Sequence, residues 1–168
     1  IHVLAGRDMM GRRSLAKSGR AGLYISTYSL LSTKDADDIL MSINPGLVLL
    51  DECHNLKNDS AARTKRMSRY IAEARPQVGC ASGTITKKSV MEYHWLMRAA
   101  LKGNSVLPDS VSLASEWASI IDAEAADSEG QANAGALQPL VDWARYHFRG
   151  EQITDSRAGF RRAFQLRS

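Results

Sequence analysis

The chain has 168 residues, of which 44% are hydrophobic and 24% are charged, and its formal net charge is +4. These values predict one soluble globular domain whose core forms without metal or disulfide cross-links. No apolar run approaches the roughly 20 residues that span a bilayer, so no membrane partner is expected. Cys53 and Cys80 form no C-x-x-C pair, and we expect two reduced core cysteines rather than a zinc site.

The start of the chain bears on its cellular location. It begins on Ile1 rather than Met and shows no signal peptide. We therefore expect a segment of a longer protein that acts in the cytoplasm, the nucleoid or the nucleus and is not secreted.

The first hundred residues alternate between strand and helix patterns. Residues 6–20 are rich in Gly, Arg and Ser and show no clear period. Strands are predicted at 2–5, 22–28, 47–50 and 78–82, and helices at 35–43, 60–75 and 88–101. The apolar run Leu47–Leu50 is typical of a strand buried on both faces. This order predicts an α/β fold, a three-layer parallel β-sheet between helices, with residues 51–54 at the carboxyl end of a central strand, where ligands bind.

The rest of the chain predicts helices and a segregated charge. Helices are predicted at 112–123 and from Leu137, separated by an acidic linker at 124–136. Six Lys or Arg residues lie between 57 and 75, none lies between 103 and 144, and six arginines return between 145 and 167. Basic blocks of this kind are weak indicators of a nucleic-acid partner.

The stretch L-L-D-E-C-H-N-L-K-N, residues 49–58, carries the clearest chemistry. In nucleotide hydrolases, an Asp that follows an apolar strand holds Mg²⁺ near the phosphates, and the adjacent Glu polarises the attacking water. Asp51 and Glu52 have this placement. Apolar strands also run into Asp-Glu loops by chance, so the pair by itself is only moderately specific.

Three segments in order carry a family resemblance. D-E-C-H at 51–54, extended by N-L-K-N, resembles motif II of the DExH-box helicases of superfamily 2, and of the Snf-type DNA translocases in particular. I-S-T-Y-S-L-L at 25–31 is similar to motif Ib, and C-A-S-G-T at 80–84 is similar to motif III. The resemblance extends over about residues 1–101.

The resemblance implies a fold and a set of partners. Residues 1–108 would be part of the first RecA-like lobe, and residues 109–168 a helical extension or insertion with a basic C-terminus. The cofactors would be ATP and Mg²⁺. The partners would be nucleic acid, DNA rather than RNA, and the remaining segments of the helicase.

The resemblance also implies roles for individual residues. Asp51 would hold Mg²⁺ through water, and Glu52 would be the catalytic base beside the metal. His54 would link the nucleotide site to motif III. The coupling residues would be Ser82, Gly83 and Thr84, and the residues near the nucleic-acid backbone would be Thr27 and Tyr28.

Three features depart from the family. The Pro that commonly follows the motif III threonine is Ile85 here, and Lys87-Lys88 replaces the asparagine that follows. The phosphate-binding loop has only a poor candidate, residues 6–13, in which Arg12 stands where Lys is required. We therefore expect that the chain starts after the phosphate-binding loop and does not turn over ATP alone.

Two other functions remain open. The chain can be a non-catalytic nucleic-acid-binding module that uses the basic helix at 60–75 and the arginine cluster at 157–167. It can also be a metal-dependent nuclease or phosphatase using Asp51, Glu52 and His54, although such a site needs further carboxylates.

Overall fold

A computed structural model describes residues 1–4, 8–83, 89–122 and 134–167. The chain divides into two compact units, Ile1–Gly83 and Thr84–Ser168. The boundary predicted from the resemblance, between residues 108 and 109, concerns the extent of a family lobe and stays a prediction. Each unit is described by itself below.

The first unit contains four short strands in two parallel pairs. The strands are β1 (His2–Leu4), β2 (Tyr24–Ser26), β3 (Leu47–Leu50) and β4 (Gln77–Cys80). β1 pairs with β2, and β3 pairs with β4 so that Leu50 lies beside Cys80. The α/β class and the parallel pairing are confirmed. The described strands form two small sheets, and the three-layer RecA-like sandwich stays a prediction.

Three helices accompany these strands: α1 (Met9–Lys17), α2 (Ala36–Ile43) and α3 (Ala62–Ala74). α2 and α3 are predicted from the sequence, whereas α1 is not. Ala16 is the buried residue of α1, so this helix has no apolar stripe that a periodicity could reveal. Its N-terminus is capped by Asp8, whose carboxylate accepts a hydrogen bond from Gly11 N at 2.9 Å.

The core between β1, α1 and α2 is small. It consists of Leu4, Ala16, Leu30 and Ile39, all at most 6% exposed. α3 is tied to this region by Arg66, whose Nη1 donates to Leu31 O at 2.9 Å. The hydrogen bond from Arg66 thus connects α3 to the segment that follows β2.

The prediction that β3 is buried on both faces is wrong. Leu47 is 54% exposed and Leu49 is 70% exposed, whereas Leu50 is 4% exposed. β3 has β4 as its one partner among the described strands, so it is an edge strand and not a central one. An apolar run reports side-chain type, and its burial depends on neighbours that the run itself does not encode.

The second unit is helical. Its helices are α4 (His94–Leu101), α5 (Val111–Ile121), α6 (Gln138–His147) and α7 (Arg157–Arg167), and a 3-10 turn at Val90–Tyr93 precedes α4. The core contains Leu107, Trp117, Ile120, Leu137, Leu140, Val141, Ala144, Ile153, Phe160 and Ala163.

The predicted helices of this unit are confirmed, and α7 was not anticipated from the sequence. The acidic linker at 124–136 lies mostly outside the described residues. None of the described helices has the length and apolar character needed to cross a membrane.

Candidate functional site

The chain turns sharply where β3 ends. Asp51 and Glu52 follow Leu50, and Glu52 has left-handed backbone angles, with φ of 47°. This conformation costs a non-glycine residue roughly 1–2 kcal/mol. Asn55 offsets part of that cost, because its backbone N and its side-chain Nδ2 both donate to Glu52 O at 3.0 Å. These hydrogen bonds restrain the backbone of this turn, residues 51–55, which we call the acidic turn.

The segment after β4 anchors the same turn. Ala81 N donates to Leu50 O at 2.9 Å, and Cys53 N donates to Ala81 O at 2.9 Å, which continues the β3–β4 ladder. Cys53 and Leu56 are buried, at 4% and 0% exposed. Asp51 and Glu52 stay exposed above this buried base.

His54 joins the acidic turn to the loop after β4. Its Nδ1 lies 3.1 Å from Glu52 Oε2 and 3.1 Å from Ser82 Oγ. A protonated Nδ1 donates to the Glu52 carboxylate, and an unprotonated Nδ1 accepts from the Ser82 hydroxyl. The side chains of His54 and Glu52 are 41% and 55% exposed, so solvent weakens the electrostatic attraction between them and the main effect of the contact is on orientation.

Tyr28, in the turn that follows β2, contacts the acidic turn. Its hydroxyl donates to Asp51 O at 2.6 Å. Burial, with smaller contributions from nearby acidic groups, raises the pKa of Tyr28 to about 12, so the hydroxyl keeps its proton at neutral pH. No sequence signal indicated this contact, because 23 positions separate the two residues. The expected roles of Thr27 and Tyr28 at nucleic acid stay predictions.

The two cysteines lie under the turn. The Cys53 and Cys80 side chains are hydrogen-bonded to each other, and burial raises the pKa of the Cys53 thiol. Cys53 is buried as predicted, but Cys80 is exposed, which corrects the expectation of two core cysteines. Cys80 is the last residue of β4, and a strand end has fewer neighbours to cover it.

The acidic turn can contribute to a magnesium site without forming a metal cage. Among the residues that the structure describes, no group of three or more His, Cys, Asp or Glu could hold a metal ion. Asp51 supplies a hard carboxylate, and its Oδ1 accepts from Glu52 N at 3.0 Å. Mg²⁺ is commonly held by one or two carboxylates together with water and phosphate oxygens. Asp51 can therefore offer one carboxylate to Mg²⁺ that arrives with a nucleotide, whereas the described residues form no group of metal-ligating side chains of the kind that the nuclease or phosphatase alternative needs.

The poor candidate for a phosphate-binding loop is engaged elsewhere. Gly11, Arg12 and Arg13 lie in α1, while Gly6 and Arg7 fall outside the described residues. Arg12 pairs with Asp35 at 3.5 Å, and Arg13 pairs with Asp38 at 3.6 Å. Both arginines are thus held by residues of the α2 region.

The loop after β4 is described only in part. Ser82 and Gly83 are described, and an added Cβ at Gly83 would meet no atom within 4 Å. Thr84, together with Ile85 and Lys87-Lys88, lies outside the described residues. The structure thus brings Ser82 to His54 and does not place Thr84.

Several arginines of the two basic blocks form contacts within their own units. In α3, Arg66 and Arg69 pair with Asp37 at 3.2 and 3.7 Å. In α7, Arg157 and Arg161 donate to the last carbonyls of α5, and Arg162 pairs with Glu151. These contacts weaken the reading of either block as a free phosphate-binding face.

Comparison with known proteins gives one partial likeness. The chain is 31% identical over 88 residues to a Caenorhabditis elegans protein named "Transcriptional regulator ATRX homolog". The match covers 52% of this chain and 6% of that protein, so the chain spans a small part of its relative. No protein-family model matches the chain, and no solved structure matches it.

Proposed function

We propose that the chain is part of an ATP-dependent DNA helicase or translocase of the Snf type, and that it contributes the acidic half of the Mg-ATP hydrolysis site. The contact of His54 with both Glu52 and Ser82 carries the proposal. It brings together, at the carboxyl ends of two paired parallel strands, the two segments that resemble motifs II and III. The partial match to the ATRX homolog hints at a helicase-related family and supports the same assignment.

The residues of the turn then have separate tasks. Bound Mg-ATP supplies the electrophilic phosphorus and the metal that neutralises phosphate charge. The Asp51 carboxylate offers an oxygen to the metal or to its water shell. The Glu52 carboxylate orients the attacking water and accepts its proton, and His54 holds that carboxylate in place. The link between His54 and Ser82 transmits changes at the turn to the loop after β4.

Other segments complete the site in this proposal. The phosphate-gripping lysine and the second lobe come from the remaining helicase segments, so the chain alone does not turn over ATP. The relative's description as a transcriptional regulator supports DNA as the polymer and the nucleus as the compartment. Residues 1–108 are then part of a RecA-like lobe, and Thr27 and Tyr28 lie on its DNA side.

Asp51→Asn tests the proposal in the complete enzyme. The substitution removes the charge that favours the metal, so DNA-stimulated ATP hydrolysis should fall by at least about 100-fold at limiting Mg²⁺. Raising the Mg²⁺ concentration should restore part of the activity. Asp59→Asn is the matched control, because Asp59 is an exposed carboxylate eight positions along the chain. Equal activity of the two variants at every Mg²⁺ concentration would argue against a hydrolytic role.

A further inference from the structure

A cluster of aromatic and cationic side chains covers the C-terminal end of α6. We call it the aromatic patch, and its members are Trp143, Tyr146, His147, Phe148, Arg149 and Arg167. The Trp143 and His147 rings stack with centroids 4.6 Å apart, and Phe148 meets Trp143 edge-on at 6.0 Å. The guanidinium of Arg149 lies 5.8 Å from the Tyr146 ring centroid, and that of Arg167 lies 5.5 Å from the Trp143 centroid.

Two rings of this patch, Tyr146 and Phe148, are exposed, while Trp143 is partly buried against the core of the unit. Tyr146 is 68% exposed and Phe148 is 36% exposed, whereas Trp117 and Phe160 in the core of the same unit are 5% and 3% exposed. A single exposed ring is ordinary on a protein surface. Several grouped rings that alternate with cations form a surface suited to a planar, negatively charged partner.

The charge around the patch is positive. Between residues 142 and 167 there are six arginines and three acids. Arg145 pairs with Asp142 and Asp155, and Arg162 pairs with Glu151, which accounts for all three acids. Within the described part of the chain, Arg149 and Arg167 form no ion pair with a carboxylate. Arg149 lies over the exposed Tyr146 ring, and Arg167 lies over the partly buried Trp143 ring.

We propose that the aromatic patch binds unpaired bases of single-stranded nucleic acid. Every base has a π-face that stacks on an exposed ring such as Tyr146, and the adjacent Arg149 and Arg167 can meet the phosphates. A duplex fits this patch poorly because its bases already stack on one another. The proposal is independent of the ATPase assignment, since it uses side chains of α6 and α7 and none of the acidic turn.

Binding of a labelled oligothymidylate by the full 168-residue chain tests this inference. Fluorescence anisotropy without ATP or Mg²⁺ compares the single strand, of about 16 nucleotides, with a duplex of equal length. We expect the single strand to bind more tightly and Tyr146→Ala to weaken its binding about tenfold, because one stacked base contributes roughly 1–3 kcal/mol. Tyr146→Phe keeps the ring and should keep the affinity. Arg149→Ala should weaken binding and lower its salt dependence.

Three controls separate the possible outcomes. Lys34→Ala removes one exposed positive charge from the first unit and should leave the affinity unchanged. Asp59→Asn changes an exposed charge of the first unit and should also leave the affinity unchanged. Circular dichroism verifies that each variant is folded. Equal affinity for duplex and single strand, no effect of Tyr146→Ala, or no binding at all would overturn the inference. Displacement by polyglutamate with no dependence on Tyr146 would instead indicate an acidic protein partner and would also overturn it.

Discussion

At the scale of single residues, the acidic turn depends on contacts from three directions. Asn55 fixes the Glu52 carbonyl from within the turn, Ala81 continues the β3–β4 ladder, and Tyr28, in the turn after β2, donates to Asp51 O. Each contact holds backbone, so the two carboxylates remain exposed while their positions are restrained. That combination suits groups that must meet a ligand with little rearrangement.

Tyr28→Phe measures the contribution of the link to Asp51. The variant keeps the ring and loses one hydrogen bond, so the free energy of unfolding should fall by about 0.5–1.5 kcal/mol in urea titrations at neutral pH. Tyr146→Phe is the control and should change it by less than about 0.5 kcal/mol, because Tyr146 lies on the surface. Equal stability of the Tyr28 variant and the unaltered protein would show that water replaces this bond.

The same variant should alter the response to alkaline pH. The pKa of Tyr28 is about 12 in the folded chain against an ordinary value of 10.0, so the folded state favours the protonated hydroxyl. The contribution of the protonated Tyr28 hydroxyl to the free energy of unfolding is complete below pH 10 and is lost as the pH rises towards 12. Over this interval the unaltered protein should lose more unfolding free energy than Tyr28→Phe. Parallel stability curves would contradict the shifted pKa.

At the scale of secondary structure, α7 stabilises the second unit by capping α5. Arg161 Nε donates to Ile121 O at 2.9 Å, and its Nη2 donates to Asp122 O at 2.7 Å. The last carbonyls of a helix lack partners within the helix, and cations there also meet the negative end of its dipole. The arginines of α7 thus have a structural use that their sequence does not distinguish from nucleic-acid binding.

Arg161→Ala and Arg162→Ala separate capping from surface charge. Loss of Arg161 should lower the free energy of unfolding by roughly 1.5–3 kcal/mol, because two charge-assisted hydrogen bonds are removed. Loss of Arg162 should lower it much less, because its pair with Glu151 is exposed to solvent. Chemical denaturation of both variants provides the comparison, and a larger effect at Arg162 would contradict the capping role.

Gly159 tests how closely α7 approaches the preceding loop. An added Cβ would collide with the backbone oxygen of Thr154, and backbone cannot yield as a flexible side chain does. Gly159→Ala should therefore destabilise the protein by about 1–3 kcal/mol or more in thermal unfolding. Gly103→Ala is the matched control, since no atom lies within 4 Å of its added Cβ. A neutral Gly159 variant would mean that the loop moves aside.

At the scale of the whole molecule, the pattern of residue types predicted the helices and strands better than it predicted which of their side chains are buried. The short apolar run at Leu47–Leu50 predicted a strand correctly, and the stripe of α3 predicted a helix correctly because its apolar residues recur at the helical period. α1 was missed because a helix that buries Ala16 alone has no such stripe. The exposure of Leu49 could not be predicted, because burial depends on which strands and helices cover a sheet.

In the candidate site, too, some contacts could be predicted from the sequence and others could not. The resemblance implied that His54 links the nucleotide site to motif III, and in the structure His54 Nδ1 lies 3.1 Å from Glu52 Oε2 and 3.1 Å from Ser82 Oγ. The links from Tyr28 and Asn55 could not be predicted, because they depend on the left-handed turn and on the approach of two separate sheets. Catalytic roles for all these residues remain predictions.

Glu52→Gln gives the most direct test of the central claim, that the acidic turn activates water in an ATPase site. DNA-stimulated ATP hydrolysis and ATP binding should be measured together in the complete enzyme, with Glu73→Gln in the exposed face of α3 as the matched control. The account predicts that Glu52→Gln lowers turnover by at least about 100-fold and leaves ATP binding intact, because the amide cannot accept the proton of water. Glu73→Gln should retain normal turnover. Turnover by Glu52→Gln equal to that of Glu73→Gln would contradict the account.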